Sequence, residues 1–274
     1  METTNKDYLE ISKKVYKPLS AFVLKLAKSL ILEEPGNSAL FSKTEVHTKL
    51  DMKIENALIN FIESKWKGLF GIVAEENKIN IKNGKYCFFI DPLDGTRNSL
   101  ARNPLFCISI GLWDVIDQKP ILGIVYSPLN QELFGWSYGK IATLNGKPIK
   151  LSKIKNLKQS IVGTAFLRQK DKFKSNWDRM SHCYKSLSSK VYGFRTIQAD
   201  ALSVSWVACG RLDAALLVST RNFDIAGGLA ILQGVGGIHI DLLHPDKNIN
   251  LVNDKFDLLV SNPYIFGKII SVLK

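Results

Sequence analysis

Residues 86–100, YCFFIDPLDGTRNSL, constrain this chain more than any other stretch. Five apolar or aromatic residues, Tyr86 to Ile90, read as a buried strand and give way to Asp91. Pro92 cannot donate to a sheet ladder and biases Asp91 to extended geometry. The strand is therefore expected to end at Asp91, where the chain turns. Asp91 and Asp94 then sit at the end of a buried strand, where an unpaired carboxylate is strongly disfavoured. A hard divalent cation bound through oxygen is the natural partner. Gly95 permits close approach, and Gly95 and Thr96 add N–H groups and a hydroxyl beside the acids. That combination suits a phosphate held against a metal.

The flanking sequence supplies further elements. Residues 5–33 carry a helical stripe through Tyr8, Ile11, Val15, Leu19, Phe22, Leu26 and Leu30, with Pro18 expected to kink or divide it. A break is expected at 33–38. A second helix is predicted from Asp51 to Trp66, with Asp51 at its start, where a carboxylate can cap. A short apolar run, 69–74, ends at Glu75 and Glu76. Past residue 100, strands at 106–113, 121–126 and 132–138 read as an antiparallel meander, followed by an Asn-Gly hairpin signal at 144–152.

Beyond about residue 152 the texture changes to alternating strand and helix. Strands are expected at 160–166, 191–197, 212–218, 238–242 and 258–260. Helices are expected around Phe173 to Leu187, from Ala199 to Cys209, from Asp224, and after Pro263. The division predicts an N-terminal α+β lobe, 1–152, carrying most of the acids, and a C-terminal α/β lobe, 153–274, supplying Asp224 and the substrate pocket.

Glu75, Asp91, Asp94 and Asp224 thus all fall at segment ends and can converge between the two lobes, a common place for a site. Here the sequence resembles the inositol monophosphatase family of metal-dependent, often lithium-sensitive phosphatases. The family's acid pair followed by D-P-[IL]-D-G-T appears as Glu75-Glu76 and Asp91-Pro92-Leu93-Asp94-Gly95-Thr96. Its W-D-x-A-[AG]-G motif appears as Phe223-Asp224-Ile225-Ala226-Gly227-Gly228, and GKIATLNGKPIKLS looks like its hairpin. The resemblance covers roughly residues 40 to 262 and implies a layered αβαβα sandwich of the inositol monophosphatase and fructose-1,6-bisphosphatase type. It implies two or three Mg²⁺ ions held by Glu75, Asp91, the Leu93 carbonyl, Asp94 and Asp224. It implies water activation by Thr96 with Asp51 and Glu75, and phosphate binding at Gly95 and Thr96. The expected partner is a small phosphorylated substrate, an inositol or sugar phosphate, and many relatives are homodimers. Two metals about 3.5–4 Å apart can clamp the attacking and leaving oxygens of an in-line displacement.

The chain departs from the family pattern around the substrate. Where inositol monophosphatases place an acid seven residues before the last aspartate, this chain has Leu217, which cannot accept a hydrogen bond from a polyol. Asp200 stands where the family usually has a small residue, and it reads equally as a replacement contact or as an exposed acid in the first turn of a helix, where the dipole favours it. Arg97-Asn98 keeps the asparagine of the monophosphatase pattern, which points to the monophosphatase or archaeal-type fructose-bisphosphatase side rather than to bisphosphate nucleotidases.

Other classes fit less well. A haloacid-dehalogenase-type phosphatase needs D-x-D, whereas here two residues separate the acids. The net charge of +12 raises a non-catalytic RNA- or protein-binding module, but the lysines are dispersed and no aromatic-interleaved basic patch accompanies them. Four scattered cysteines lack Cys-x-x-Cys spacing and read as buried free thiols of a reducing compartment. The polar N-terminus and the lack of a long apolar run predict a cytoplasmic protein with no membrane role.

Overall fold

The structure, a computed structural model, describes residues 5–32, 47–76, 84–165, 174–253 and 255–273. The break at 33–38, the connector at 77–83, Phe166 and Phe173 lie outside the described residues. No helix among those described is long and apolar enough to cross a membrane.

The chain opens with α1 (Asn5–Ala27), which runs into a π-helical turn, Lys28–Leu32. Pro18 does not divide α1. Its ring lies on the exposed face, so the backbone carbonyl it leaves unpaired can meet water, while Val15, Leu19 and Val23 stay buried opposite. α2 (His47–Trp66) begins a turn earlier than predicted. Asp51 is therefore inside the helix, not at its cap, and shares the buried face of Ile54 and Leu58.

The first sheet has β1 (Gly71–Ala74) parallel to β2 (Tyr86–Asp94). A five-residue helix, α3 (Thr96–Leu100), follows β2. The sheet continues antiparallel through β3 (Cys107–Asp114), β4 (Lys119–Ser127), β5 (Glu132–Ser137), β6 (Thr143–Leu144) and β7 (Lys147–Pro148), the predicted meander. Asn145 and Gly146, both with positive φ, make the predicted hairpin turn. One expectation is corrected: β2 does not end at Asp91 but continues to Asp94. Asp91 pairs with Ser109 and Asp94 with Cys107, three steps on one strand against two on the other. Pro92 sits inside this bulge, where the ladder is already interrupted and its missing N–H costs little.

The second sheet has five strands, in the spatial order 238–241, 255–261, 214–221, 161–164 and 193–196. Its chain order is β8 (Ile161–Thr164), α4 (Lys174–Ser188), β9 (Gly193–Thr196), α5 (Asp200–Ala208), β10 (Ala214–Arg221), α6 (Asn222–Gln233), β11 (Ile238–Asp241), β12 (Lys255–Ser261) and α7 (Phe266–Leu273). The last helix starts three residues later than Pro263, with the Asn262 side chain accepting from the Tyr264 and Ile265 amides.

Strand alternation distributes the core into layers. On β2, Phe88 and Ile90 face outward with Ile108 and Ile110 of β3 and pack under α1 and α2. Cys87 and Phe89 face inward toward α5 and α6. On β10, Ala215 and Leu217 join that same middle core, while Ala214 and Leu216 turn to α4 and α7. The result is the predicted αβαβα sandwich, with α5 and α6 as the shared filling. It also shows why Leu217 departs from a polar contact: it is fully buried in the central core. α6 lies unusually close to the first sheet. A Cβ on Gly123 would stand 2.4 Å from the Gly227 carbonyl oxygen and 2.9 Å from the Ala230 Cβ. Glycine is what admits the helix to that distance.

Candidate active site

Parallel pairing of β1 with β2 turns a separation of sixteen residues into adjacency. Ala74 is the register partner of Ile90, so Glu75, the first residue past β1, stands beside Asp91 within β2, and their side chains are hydrogen-bonded. The β2 bulge does the rest. Residues three apart on a strand normally face opposite ways. The extra residue rephases β2 so that Asp91 and Asp94 both follow Ser109 and Cys107, toward the N-termini of α5 and α6. Both aspartates are buried, at 2% and 8% exposure.

Each acid is then held by main chain. Asp91 Oδ1 accepts from the Leu93 amide at 2.9 Å, and the Thr96 hydroxyl donates to the Leu93 carbonyl at 3.0 Å. Asp94 receives the first amides of α5, Asp200 N at 3.0 Å and Ala201 N at 2.7 Å, with the Cys107 thiol donating weakly at 3.6 Å. It thereby caps a helix whose own N-cap residue, Ala199, has no side-chain acceptor. Asp224 Oδ2 accepts from the Arg221 amide at 2.9 Å, in the first turn of α6. Gly95, at φ 87°, lets this loop rest on α5: a Cβ there would meet the Leu105 carbonyl at 2.8 Å and Ala199 at 3.1 Å. Asn98 ties the loop from behind through the Leu105 and Ile197 carbonyls.

The electrostatics follow from burial. Desolvation raises the Asp91 carboxyl well above its usual range, and Glu75, Asp94 and Asp224 add repulsion. Burial likewise raises Asp224, with Asp200 and Asp94 next. Burial and Asp200 push Asp94 up to about 7, against the helix amides that lower it. Burial and the neighbouring Glu75, Glu76 and Glu55 push Asp51 up to about 8. Glu75 is raised by burial and Glu76, with the Arg221 charge lowering it.

Glu75, Asp91, Leu93, Asp94, Thr96, Asp200 and Asp224 are thus brought into one neighbourhood. Asp51 reaches it from α2 through the charge of Glu75, but Thr96 directs its hydroxyl to Leu93, not to Asp51. Asp51 Oδ1 is buried without a hydrogen-bond partner among the described residues. Among those residues, no three His, Cys, Asp or Glu side chains already form a ready metal cluster. The hydrogen bonds explain this: Asp91, Asp94 and Asp224 are each turned onto backbone amides. The donor chemistry nevertheless fits a divalent cation, because the set is all oxygen, buried and mutually repulsive. Each carboxylate oxygen also keeps lone pairs beyond the amide it accepts.

Two residues escaped the sequence reading. Glu55 is fully buried, and its Oε2 accepts from the Glu76 amide at 2.9 Å. Its signal was an acid at i+4 from Asp51, on the apolar face of the same helix. Arg221 ends β10 beside Glu75 and Phe223, with nothing in its local sequence to mark it.

Two sheets enclosing two helices, with buried acids gathered at the ends of strands and helices, make the layered sandwich of the inositol monophosphatase type. The sequence pattern of the inositol monophosphatase family matches residues 12–273, and the chain belongs to that family. It is a phosphoric monoester hydrolase by that membership, and members of the family are generally metal-dependent. An inositol-1-monophosphatase of Synechocystis is 31% identical over 232 residues, covering 84% of this chain and 77% of the relative. A fructose-1,6-bisphosphatase/inositol-1-monophosphatase of Aquifex aeolicus is 28% identical over 276 residues, covering 98% and 96%. The solved inositol monophosphatase of Anabaena superposes with a TM-score of 0.72 at 27% identity, covering 94% of this chain and 96% of that one.

Proposed function

We propose that the chain hydrolyses a small phosphate monoester, an inositol or sugar phosphate, with Mg²⁺. The observation that carries this reading is the convergence of Glu75, just past β1, Asp91 and Asp94 of β2 and Asp224 of α6 into one buried neighbourhood, where Glu75, Asp94 and Asp224 all raise Asp91, and Asp94 and Glu75 raise Asp224. Glu75, Asp91, the Leu93 carbonyl, Asp94 and Asp224 would hold two or three Mg²⁺ ions. Bound there, the metal supplies charge neutralisation and a water that deprotonates near neutral pH.

The chain's own residues do the remainder. Thr96 orients the attacking water, its hydroxyl fixed on the Leu93 carbonyl. Glu75 and Asp51 take up the proton: they stand next to one another, and Asp51 Oδ1 is buried with no hydrogen-bond partner among the described residues. Gly95 and Thr96 orient the phosphate through their amides. Asp200, projecting from the first turn of α5 toward Asp94 and Asp224, accepts hydroxyls of the alcohol portion. No nucleophilic side chain is required. In this reading the division near residue 152 separates a lobe with most of the metal ligands from one that supplies Asp224 and the substrate pocket, Li⁺ inhibits, and the enzyme works in the cytoplasm, as a homodimer where relatives do.

A sugar bisphosphate is the second reading. Leu217, buried in the central core, removes a polyol acceptor, and the Aquifex relative's name joins both activities. The test is phosphate release from inositol 1-phosphate, fructose 1,6-bisphosphate, adenosine 3′,5′-bisphosphate and histidinol phosphate, with Mg²⁺ and with chelator. Hydrolysis that survives exhaustive chelation overturns the metal assignment, and a covalent phosphate trapped on Asp91 overturns direct attack by water.

A further inference from the structure

β10 carries a defect just before the site. Val218 pairs with Asp257 of β12 and Thr220 with Phe256, leaving Ser219 as an inserted residue. Ser219 stands at φ 60°, a left-handed conformation that non-glycine residues adopt at a cost. Something must hold it there. The Asp257 carboxylate accepts from the Ser219 amide at 2.9 Å. Asp257 is itself buried, at 2% exposure, and paired in fork geometry with the Arg179 guanidinium of α4, with Nη2 3.2 Å from Oδ1 and Nε on Oδ2. Arg179 lies on α4 in the outer helical layer, on the side of the sheet away from the buried acids.

The consequence reaches the acids two residues later. The Arg221 amide, at the end of the same strand, is the donor that holds Asp224 Oδ2. A bulge re-aims the residues that come after it, so the direction of the Arg221 amide is set by the conformation of Ser219. We propose that the Arg179–Asp257 pair is a positioning device for Asp224. It fixes the Ser219 bulge, the bulge aims the Arg221 amide, and that amide sets the Asp224 carboxylate for metal binding. The inference rests on the proposed metal role of Asp224. It adds that a pair on the far face of the sheet sets cation affinity.

The test is Mg²⁺ affinity by titration calorimetry, together with kcat at saturating Mg²⁺ and thermal midpoint. Asp257→Asn should weaken Mg²⁺ binding about 10-fold, the range seen for outer-shell partners of metal ligands, with much of kcat regained at saturating Mg²⁺. Adding Ser219→Gly should restore most of the lost affinity, because glycine takes φ near 60° without a clamp. Arg179→Gln, at a partly exposed side chain, carries the same test if Asp257→Asn does not fold. A lowered midpoint with unchanged Mg²⁺ affinity makes the pair merely structural and overturns the inference. A double variant no better than Asp257→Asn also overturns it, since the bulge is then not the link. Wild-type protein that binds no Mg²⁺ removes the metal reading itself, a failure distinct from these.

Discussion

Replacing Gly123 with alanine tests whether the approach of α6 to the first sheet sets the site. In a strand, alanine for glycine should stabilise by roughly 0.5–1 kcal/mol, since glycine loses more backbone entropy on folding. Here the sign reverses. The new Cβ would lie 2.4 Å from the Gly227 carbonyl oxygen, where ordinary contact begins at 3.4 Å, with Ala230 Cβ at 2.9 Å and Ile231 Cγ1 at 3.1 Å. The obstacle is helix backbone, so no rotamer change relieves it and α6 must withdraw by about 1 Å. Overpacking of this kind costs about 1–3 kcal/mol, enough to outweigh the entropic gain. Asp224 rides on the first turn of α6 and Asp91 on the sheet, so the withdrawal changes their separation directly. A misplacement of about 1 Å can cost on the order of 10²-fold in rate. Urea unfolding should therefore show the stability loss. Turnover measured where the variant is fully folded should fall by a much larger factor. Gly267→Ala in α7, where a Cβ meets nothing within 4 Å, is the control and should stabilise slightly. Wild-type turnover in folded Gly123→Ala, or a stability equal to that of the control, refutes the close-packing argument.

Three further outcomes rest on the same geometry. Asp224→Asn should lower hydrolysis by on the order of 10²–10³-fold, as loss of one preorganised charge does, while the fold stays intact by circular dichroism; near-wild-type turnover counts against its role. In chelator, stability should fall as pH rises. Asp51 and Asp94 have folded pKa values of about 8 and about 7, above their unfolded values near 4, so the unfolded state releases their protons first and the contribution is lost between about pH 4 and 8. Urea midpoints that rise over that range refute the burial argument. Excess Mg²⁺ should offset the loss, by about 2.7 kcal/mol at a hundredfold excess over Kd. Tyr8→Phe should cost about 1–3 kcal/mol, because its hydroxyl donates to buried Asp114 at 3.0 Å and to Asp117 at 2.9 Å. Turnover should be unchanged, since that network lies at the Tyr86 end of β2, opposite the acids.

The features that sequence displayed, and those it hid, divide along the range of the interactions. The strand ending in DPLDGT, the Asn-Gly hairpin and the alternation of strands and helices after residue 152 are local patterns. They carried the layered fold. Three features are not local. β2 passes through Pro92 because β3 opposes it with one residue fewer. Glu55 matters because its buried carboxylate receives the Glu76 amide across 21 residues. Asp51 lies inside α2 because the helix begins four residues earlier, in a polar stretch, 47–49, with no apolar stripe to announce it.

The same division explains the chemistry of the site. A carboxylate at the end of a buried strand is a local fact and marks a candidate ligand. Its aim is not local. Asp94 is set by α5 amides 106 and 107 residues away. The aim of Asp224 we trace to Ser219, Asp257 and Arg179. Acids this close repel, and every element that holds them works against that repulsion. A cation that neutralises them should therefore tighten the whole middle layer, not the acid-bearing loop alone. Amide hydrogen exchange can separate these cases. Mg²⁺ should slow exchange at the Asp200, Ala201 and Arg221 amides and in the following turns of α5 and α6. Slowing confined to residues 91–96 would show that the two helices are held independently of the acids, and would refute the coupling.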